Sequence, residues 1–210
     1  MIDKILAVVA HPDDLEIMAG GSVIKWLGEG KEVHVLVLTT GSWYSPDGTL
    51  NRPKEEINED LNRVKRKVGY TSYEVLSEET LNLEYKDMLV CEVLKRISSY
   101  QIDTVLTTWE RDMHRDHRIA SEIAVAACRR VPNLLMGQIN HYMSDFYTPN
   151  YFVDITDSWE RKLESVACFE SQWERNKEDW ISFMDATATY YGKVVGVDRA
   201  EGFIAKKILY

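Results

Sequence analysis

Six consecutive apolar residues, Ile5-Leu6-Ala7-Val8-Val9-Ala10, stand directly before the run His11-Pro12-Asp13-Asp14-Leu15-Glu16. A strand with no polar face must be covered on both sides, which is the condition of a parallel sheet between two layers of helices. The next residues supply the complement. Leu15 to Glu29 has helical character ending near Gly30, and Glu32 to Leu38 (EVHVLVL) returns to β-branched residues. Strand, helix and strand within about thirty residues form one βαβ unit.

The alternation continues along the chain. A loop from Thr39 to Pro53 leads to a charged helix ending at Val68. A short strand comes next near Tyr73 to Leu76, then a helix from Asp87 to Tyr100 and a strand at Thr104 to Thr108. Arg115 to Arg130 reads as a helix, with Ile119, Ile123, Ala126 and Ala127 at helical spacing and Pro132 closing it. Strands are expected at Leu134 to Tyr142 and Tyr151 to Ile155. Asp157-Ser158-Trp159-Glu160 fits a capping box opening a helix toward Gln172, and a further helix from Lys177 to Tyr191 and a strand near Phe203 to Leu209 complete the series. The expectation is an α/β, Rossmann-like layered fold with a mainly parallel sheet flanked by helices. At 210 residues, one domain spanning 1–210 is the default.

Charge narrows the partners. A net charge of -9 and a pI near 5.1 disfavour phosphate backbones and anionic membranes. The one compact basic run, Lys65-Arg66-Lys67, reads as a solvated helix face, so nucleic acid is not expected. Cys91, Cys128 and Cys168 are odd in number, lie far apart, and read as buried thiols of a reducing compartment. The N-terminal segment has Asp3 and Lys4 before six apolar positions, too short a run for a signal sequence or a membrane span, so a cytoplasmic location is expected.

The cluster His11-Pro12-Asp13-Asp14-Leu15-Glu16 falls where a core strand ends and its helix begins. In open α/β sheets ligands gather at the carboxyl ends of strands, so an imidazole and two carboxylates there are aimed at a crevice. That set suits a divalent metal: the imidazole and one carboxylate ligate, and the other carboxylate takes the proton of a water. The bland alternative is helix capping by Asp13 or Asp14, with His11 incidental. A second cluster, His114-Arg115-Asp116-His117, lies beyond the strand ending at Thr108. Its two histidines at i, i+3 face one way on a helix. Three of the five histidines (11, 34, 114, 117 and 141) fall in these two clusters.

Taken together, these residues resemble the zinc-dependent N-deacetylases of the PIG-L or LmbE-like family. AHPDDLE is similar to the family's AHPDD(x)E signature and HRDH to its later HxDH element. VLTTGS (37–42) resembles its second strand and loop, YFVDIT (151–156) its late VDI strand, and Lys162, Ala167 and Ser171-Gln172 the positions of the following helix. The resemblance spans residues 5 to 172. It implies that His11, Asp14 and His117 bind Zn2+, that Asp13 is the general base and that His114 stabilises the oxyanion, by donation if protonated. Asp112 or Asp116 then orients a histidine through its second ring nitrogen, or caps a helix.

The implied reaction is removal of an N-acetyl group from an N-acetylglucosamine-type amino sugar or its conjugate. A zinc amidase acting on another N-acyl or thiol-conjugate substrate, and a non-catalytic sugar-binding relative, stay open, as does a homo-oligomer. Arg115 stands where the family commonly has proline. Ile57 and Asp60 occupy the positions of the Arg and Glu of its third helix, so Arg52 is the candidate substitute, against the reading of an exposed loop arginine. Trp43, Tyr44 and Trp109 are candidates for stacking on a sugar ring or for partial core. Trp159, Trp173 and Trp180 read as helix-packing residues.

Overall fold

The computed structural model describes residues 2–140 and 146–209. Its sheet has seven strands: β1 (Lys4–Val9), β2 (Glu32–Thr39), β5 (Ser72–Glu78), β6 (Thr104–Thr108), β7 (Asn133–Gly137), β8 (Tyr151–Asp154) and β9 (Ala200–Lys207). The spatial order is β5-β2-β1-β6-β7-β9-β8. β5, β2, β1, β6 and β7 run parallel, and β9 pairs antiparallel with both β7 and β8. Strand order therefore reverses at β1 and β6, and the loops leaving those neighbours diverge to open a crevice.

The apolar run of β1 is buried on both faces, and its side chains alternate between two cores. Ile5, Ala7 and Val9 join one with α1 (Asp14–Gly28), α2 (Lys54–Val68), α5 (Trp159–Val166) and α6 (Glu170–Val195). Leu6, Val8 and Ala10 join the other with α3 (Asp87–Tyr100) and α4 (Arg115–Ala127). Among the described residues no helix is long and apolar enough to cross a membrane.

Most expected elements are present, and α3 and β6 have the expected bounds. The differences have local causes. The loop after β2 carries a two-stranded hairpin, β3 (Trp43–Tyr44) and β4 (Leu50–Asn51), closed through Ser45 and Gly48. β7 stops at Gly137, and residues 141–142 of the expected strand, with His141, lie outside the described residues. The last residues of the helix expected to reach Arg130 tighten into a 3-10 turn, Cys128–Arg130. The capping box does not form. The Ser158 hydroxyl instead donates to the carbonyls of Gly21 (2.9 Å) and Ile155 (3.3 Å). The C-terminal helices divide at 167–169 rather than after Gln172, because Phe169 is drawn fully into the core and Arg63 Nε donates to the carbonyl of Cys168 at 3.1 Å. Of the thiols, only Cys128 is buried; Cys91 is exposed and Cys168 half-buried.

The helix α1 is broken at Ala19 (φ -145°, ψ 16°), one turn after Asp14. A buried ion pair occupies the break. Lys162 Nζ donates to the Ile17 carbonyl (2.8 Å) and to Glu201 Oε1 (2.6 Å), and the Glu201 carboxylate accepts from the amides of Gly21 (3.0 Å) and Ser22 (2.7 Å). The pair thus satisfies backbone groups that the break leaves without helical partners. Lys162 is 3% and Glu201 5% exposed, so removing one leaves the other in the core without its counter-charge. Lys162→Met is expected to cost about 3–5 kcal/mol in urea unfolding, with part recovered in the double variant Lys162→Met/Glu201→Gln. A loss below about 1 kcal/mol would contradict this account.

Candidate active site

Both sequence clusters leave adjacent strands at the switch point, and the fold brings them together. His11, Asp13 and Asp14 come after β1; Asp112, His114, Asp116 and His117 come after β6. The closest approach involves three side chains. His117 Nε2 lies 3.2 Å from His11 Nδ1 and 3.3 Å from Asp14 Oδ1, and His11 Nδ1 lies 3.5 Å from Asp14 Oδ2.

Each member is fixed from behind. Asp14 Oδ2 accepts from the amides of Ala10 (3.1 Å) and His11 (2.8 Å). His11 Nε2 meets Asp116 Oδ2 at 3.0 Å, and that carboxylate is itself held by the amides of Leu81 (2.7 Å) and Leu83 (3.2 Å). His117 Nδ1 meets Asp112 Oδ1 at 3.2 Å, where the His114 amide (2.7 Å) and the Asn140 side-chain amide (2.6 Å) also donate. Both aspartates therefore orient a histidine. The cap of α4 is His114 itself, whose Nδ1 accepts from the Asp116 amide at 3.2 Å.

That last bond fixes a tautomer. A neutral imidazole whose Nδ1 accepts must carry its proton on Nε2, so His114 presents an N–H donor and has no second lone pair. Burial, reinforced by the charges of His117 and His11, lowers its pKa to about 4. His114 thus differs from His11 and His117. Burial alone would lower those two, but the Asp14 charge and the carboxylate hydrogen bonds outweigh it and raise them to about 9 and about 10. Asp14 is held low because the same histidines outweigh its burial.

Asp13 sits at the N-terminus of α1 with φ 109° and makes no capping hydrogen bond, so helix capping does not account for it. A positive φ at a residue other than glycine is uncommon and costs free energy, which surrounding contacts must offset. Those contacts are present. Arg52 Nη1 donates to Asp13 Oδ2 (3.0 Å) and to the Pro12 carbonyl (3.3 Å), while Nη2 reaches Asp60 Oδ2 at 3.5 Å. Gly41, at φ 83°, lies so close to this turn that a Cβ would stand 2.9 Å from Pro12 Cδ. Burial raises Asp13 to about 6 against the opposing Arg52 charge.

A cavity of about 540 Å³ opens over these groups. His11, Asp13, Asp14, His114 and His117 form its floor, with Arg52 and Trp43 at one side. Arg52 is 6% exposed and is not a free loop arginine. Trp109 is absent from the lining: it is 3% exposed and packs edge-on against Tyr147 at 5.4 Å. Tyr44 is mostly exposed on the hairpin, and Glu16 is buried against the Tyr70 hydroxyl at 2.5 Å. Two contributions were not foreseen from sequence. Asn140 lies beyond β7, and a wall of Arg175, Asn176, Asp179 and Trp180 comes from α6. No local signal marked Asn140, Arg175, Asn176 and Asp179, ordinary polar positions before a loop and on a long helix, and Trp180, read as a helix-packing residue, both packs on the core and lines the cavity.

The fit to a divalent metal follows from the donor set. Ligands at about 2.0–2.1 Å from a tetrahedral zinc stand about 3.3–3.4 Å from one another; His117 Nε2 stands 3.2 Å from His11 Nδ1 and 3.3 Å from Asp14 Oδ1, and His11 Nδ1 stands 3.5 Å from the second Asp14 oxygen, Oδ2. Three protein donors leave one position open to solvent, and both imidazoles have the carboxylate backing that metal-bound histidines show. A looser set, His11, His114 and His117, offers ring nitrogens within 4.8 Å. Both imidazoles of the Asp14 set face that carboxylate within 3.5 Å, and the His114 tautomer argues against His114 as a ligand.

Fold and site together define a Rossmann-like α/β protein with a candidate divalent-metal centre at its switch point. A model of the PIG-L family, described as GlcNAc-PI de-N-acetylase, matches residues 6–128, and the chain belongs to that family. The diacetylchitobiose deacetylase of Thermococcus kodakarensis is 32% identical over 219 residues, covering 96% of this chain and 82% of that protein. The structure of the N,N'-diacetylchitobiose deacetylase of Pyrococcus horikoshii with its inhibitor MPG superposes with a TM-score of 0.81. Its identity is 25%, covering 98% of this chain and 84% of that one. The 4-carboxy-2-hydroxymuconate hydratase of Pseudomonas putida KT2440 has a TM-score of 0.84 at 19% identity, covering 100% and 98%. This last likeness is one of fold, and it shows that the fold does not by itself set the reaction.

Proposed function

We propose that the chain is a zinc-dependent hydrolase that removes the N-acetyl group from an N-acetylglucosamine-type amino sugar or its conjugate. The observation that carries the reading is the approach of His11 Nδ1 and His117 Nε2 to 3.2 Å of each other, each within 3.5 Å of an oxygen of the Asp14 carboxylate, with a further carboxylate behind each imidazole. Family membership and the deacetylase relatives support the same chemistry. When bound, zinc supplies Lewis acidity toward the amide carbonyl and makes a water nucleophilic near neutral pH.

The protein's own groups do the rest. Asp13, beside the ligands and held by Arg52, takes the proton of the attacking water. His114 donates its Nε2–H to the carbonyl oxygen as negative charge develops there, a role a neutral imidazole fills without being protonated. Collapse of the tetrahedral centre breaks the C–N bond, and Asp13 returns its proton to the leaving amine, giving acetate and free amino sugar. Arg52 keeps the carboxylate in place and, with Trp43, is proposed to border the sugar. A single domain and a cytoplasmic setting fit this small-molecule reaction.

The test pairs metal analysis of the purified protein with acetate release from N-acetylglucosamine and N,N'-diacetylchitobiose. About one zinc per chain with release from either sugar is expected. Stoichiometric zinc without release from any N-acetyl amino sugar would remove the reading. Asp112→Asn is expected to weaken zinc binding about 10–100-fold, because it removes the carboxylate behind His117 while leaving every ligand in place. An unchanged affinity in competition with a chelator would deny Asp112 that role.

A further inference from the structure

Arg52 reaches the site at a backbone cost. It stands two residues before α2 with φ 52°, a left-handed conformation uncommon outside glycine, and its guanidinium lies 5.9 Å over the ring of Phe169. Its Nε is buried with no hydrogen-bond partner among the described residues, so its placement depends on the two terminal nitrogens. One of them serves the floor, Nη1 donating to Asp13 Oδ2 and to the Pro12 carbonyl. The other points elsewhere, to Asp60 Oδ2 at 3.5 Å. Asp60 is fully buried on α2 between two guanidiniums. Arg63, one turn on, donates to Asp60 Oδ1 at 2.5 Å and is itself tied to the Cys168 carbonyl at 3.1 Å, so that side of the carboxylate is fixed. The opposite oxygen is the one that faces Arg52.

A guanidinium free to turn beside a carboxylate engages both of its oxygens through two parallel N–H bonds. Here the second arm is held away. Among the described residues only Oδ2 of Asp13 accepts a hydrogen bond; Oδ1 has none, and Asp13 lines the cavity. The difference bears on the reaction. A carboxylate clasped by a cation at both oxygens has no lone pair left for a water, whereas one held at a single oxygen keeps the other as a base.

We infer that Asp60 is a positioning residue for the general base: by holding the second arm of Arg52 it keeps the guanidinium on one oxygen of Asp13 and leaves the other free to take the proton of the attacking water. This rests on the deacetylase reading of the floor. Asp60→Asn leaves one acceptor oxygen for two guanidiniums. Arg63, nearer and anchored elsewhere, keeps it, and Arg52 turns both arms onto Asp13.

The test compares zinc content, kcat and KM of wild type, Asp60→Asn, Arg52→Lys and the double variant on whichever N-acetyl sugar the wild type cleaves. Asp60→Asn is expected to keep zinc and a KM within about twofold while kcat falls about tenfold, the scale of a misplaced reacting group. Lysine is a point charge with no second arm, so it needs no restraint from Asp60. Arg52→Lys is therefore expected to cost kcat about threefold, and adding Asp60→Asn to it to cost nothing more, a rescue that a merely structural role for Asp60 does not allow. Wild-type kcat in Asp60→Asn, or a double variant as slow as Asp60→Asn, would overturn the assignment. Should Asp60→Asn not fold, Arg52→Lys decides alone: a loss of about threefold supports the one-oxygen hold, and a loss as large as that of Arg52→Met overturns it. If the wild type cleaves no N-acetyl sugar, the deacetylase reading fails separately. Crystal structures of wild type and Asp60→Asn then decide the positioning: Arg52 on both oxygens of Asp13 in the variant alone supports it, and the same contact in both proteins overturns it.

Discussion

His117→Ala is expected to purify without stoichiometric zinc and to lose about four orders of magnitude in amide cleavage, the scale of removing several kcal/mol of charge stabilisation. Its Nε2 is the nitrogen nearest both other donors, at 3.2 Å from His11 Nδ1 and 3.3 Å from Asp14 Oδ1. Two donors cannot replace three, and the buried Asp14 carboxylate loses its principal counter-charge in the same step. Asp14→Ala should behave alike. His114→Ala separates the two donor sets that the geometry offers. Its Nδ1 is committed to the Asp116 amide, so its Nε2 donates, and that variant is expected to keep zinc while kcat falls. Metal content by elemental analysis, measured beside turnover, distinguishes the outcomes. Zinc lost from His114→Ala but kept in Asp14→Ala would replace the ligand set by the three imidazoles, and full zinc occupancy in His117→Ala would remove His117 from either set.

Much of this was legible in the chain because it depends on short-range pattern. A six-residue apolar run suits a doubly covered strand, and a His/Asp cluster at its end is aimed at the crevice by topology. The rest depends on contacts between distant residues. The turn between α5 and α6 contains no glycine or proline; it is set by Phe169 entering the core and by Arg63 holding the Cys168 carbonyl. Trp109 stands at a strand end as a ligand-stacking residue would, yet Tyr147, far along the chain, covers it. Arg52 sits in a polar loop, and only its partners Asp13 and Asp60 show why it is buried. The α6 wall is the extreme case, since its residues acquire meaning only from the floor they face.

Asp13→Asn tests the step that the metal does not perform. Asparagine has the same shape, tolerates positive φ better than most residues, and can still accept from Arg52 through its side-chain oxygen. The turn at φ 109° and the ligands beside it should therefore persist, and zinc content should match that of the wild type. The amide lacks a basic lone pair. Without it the attacking water must give its proton to solvent and the departing amine must find one there, a loss of about a thousandfold in kcat for a general base that also serves as the acid. KM should move little, because substrate contacts are left intact. Arg52→Met is the companion variant: it frees Asp13 from its partner without removing it, so turnover should fall less than in Asp13→Asn while zinc remains. A zinc-loaded Asp13→Asn enzyme with wild-type kcat would mean that the proton travels by another group, and among the residues lining the floor His114 would be the next to test.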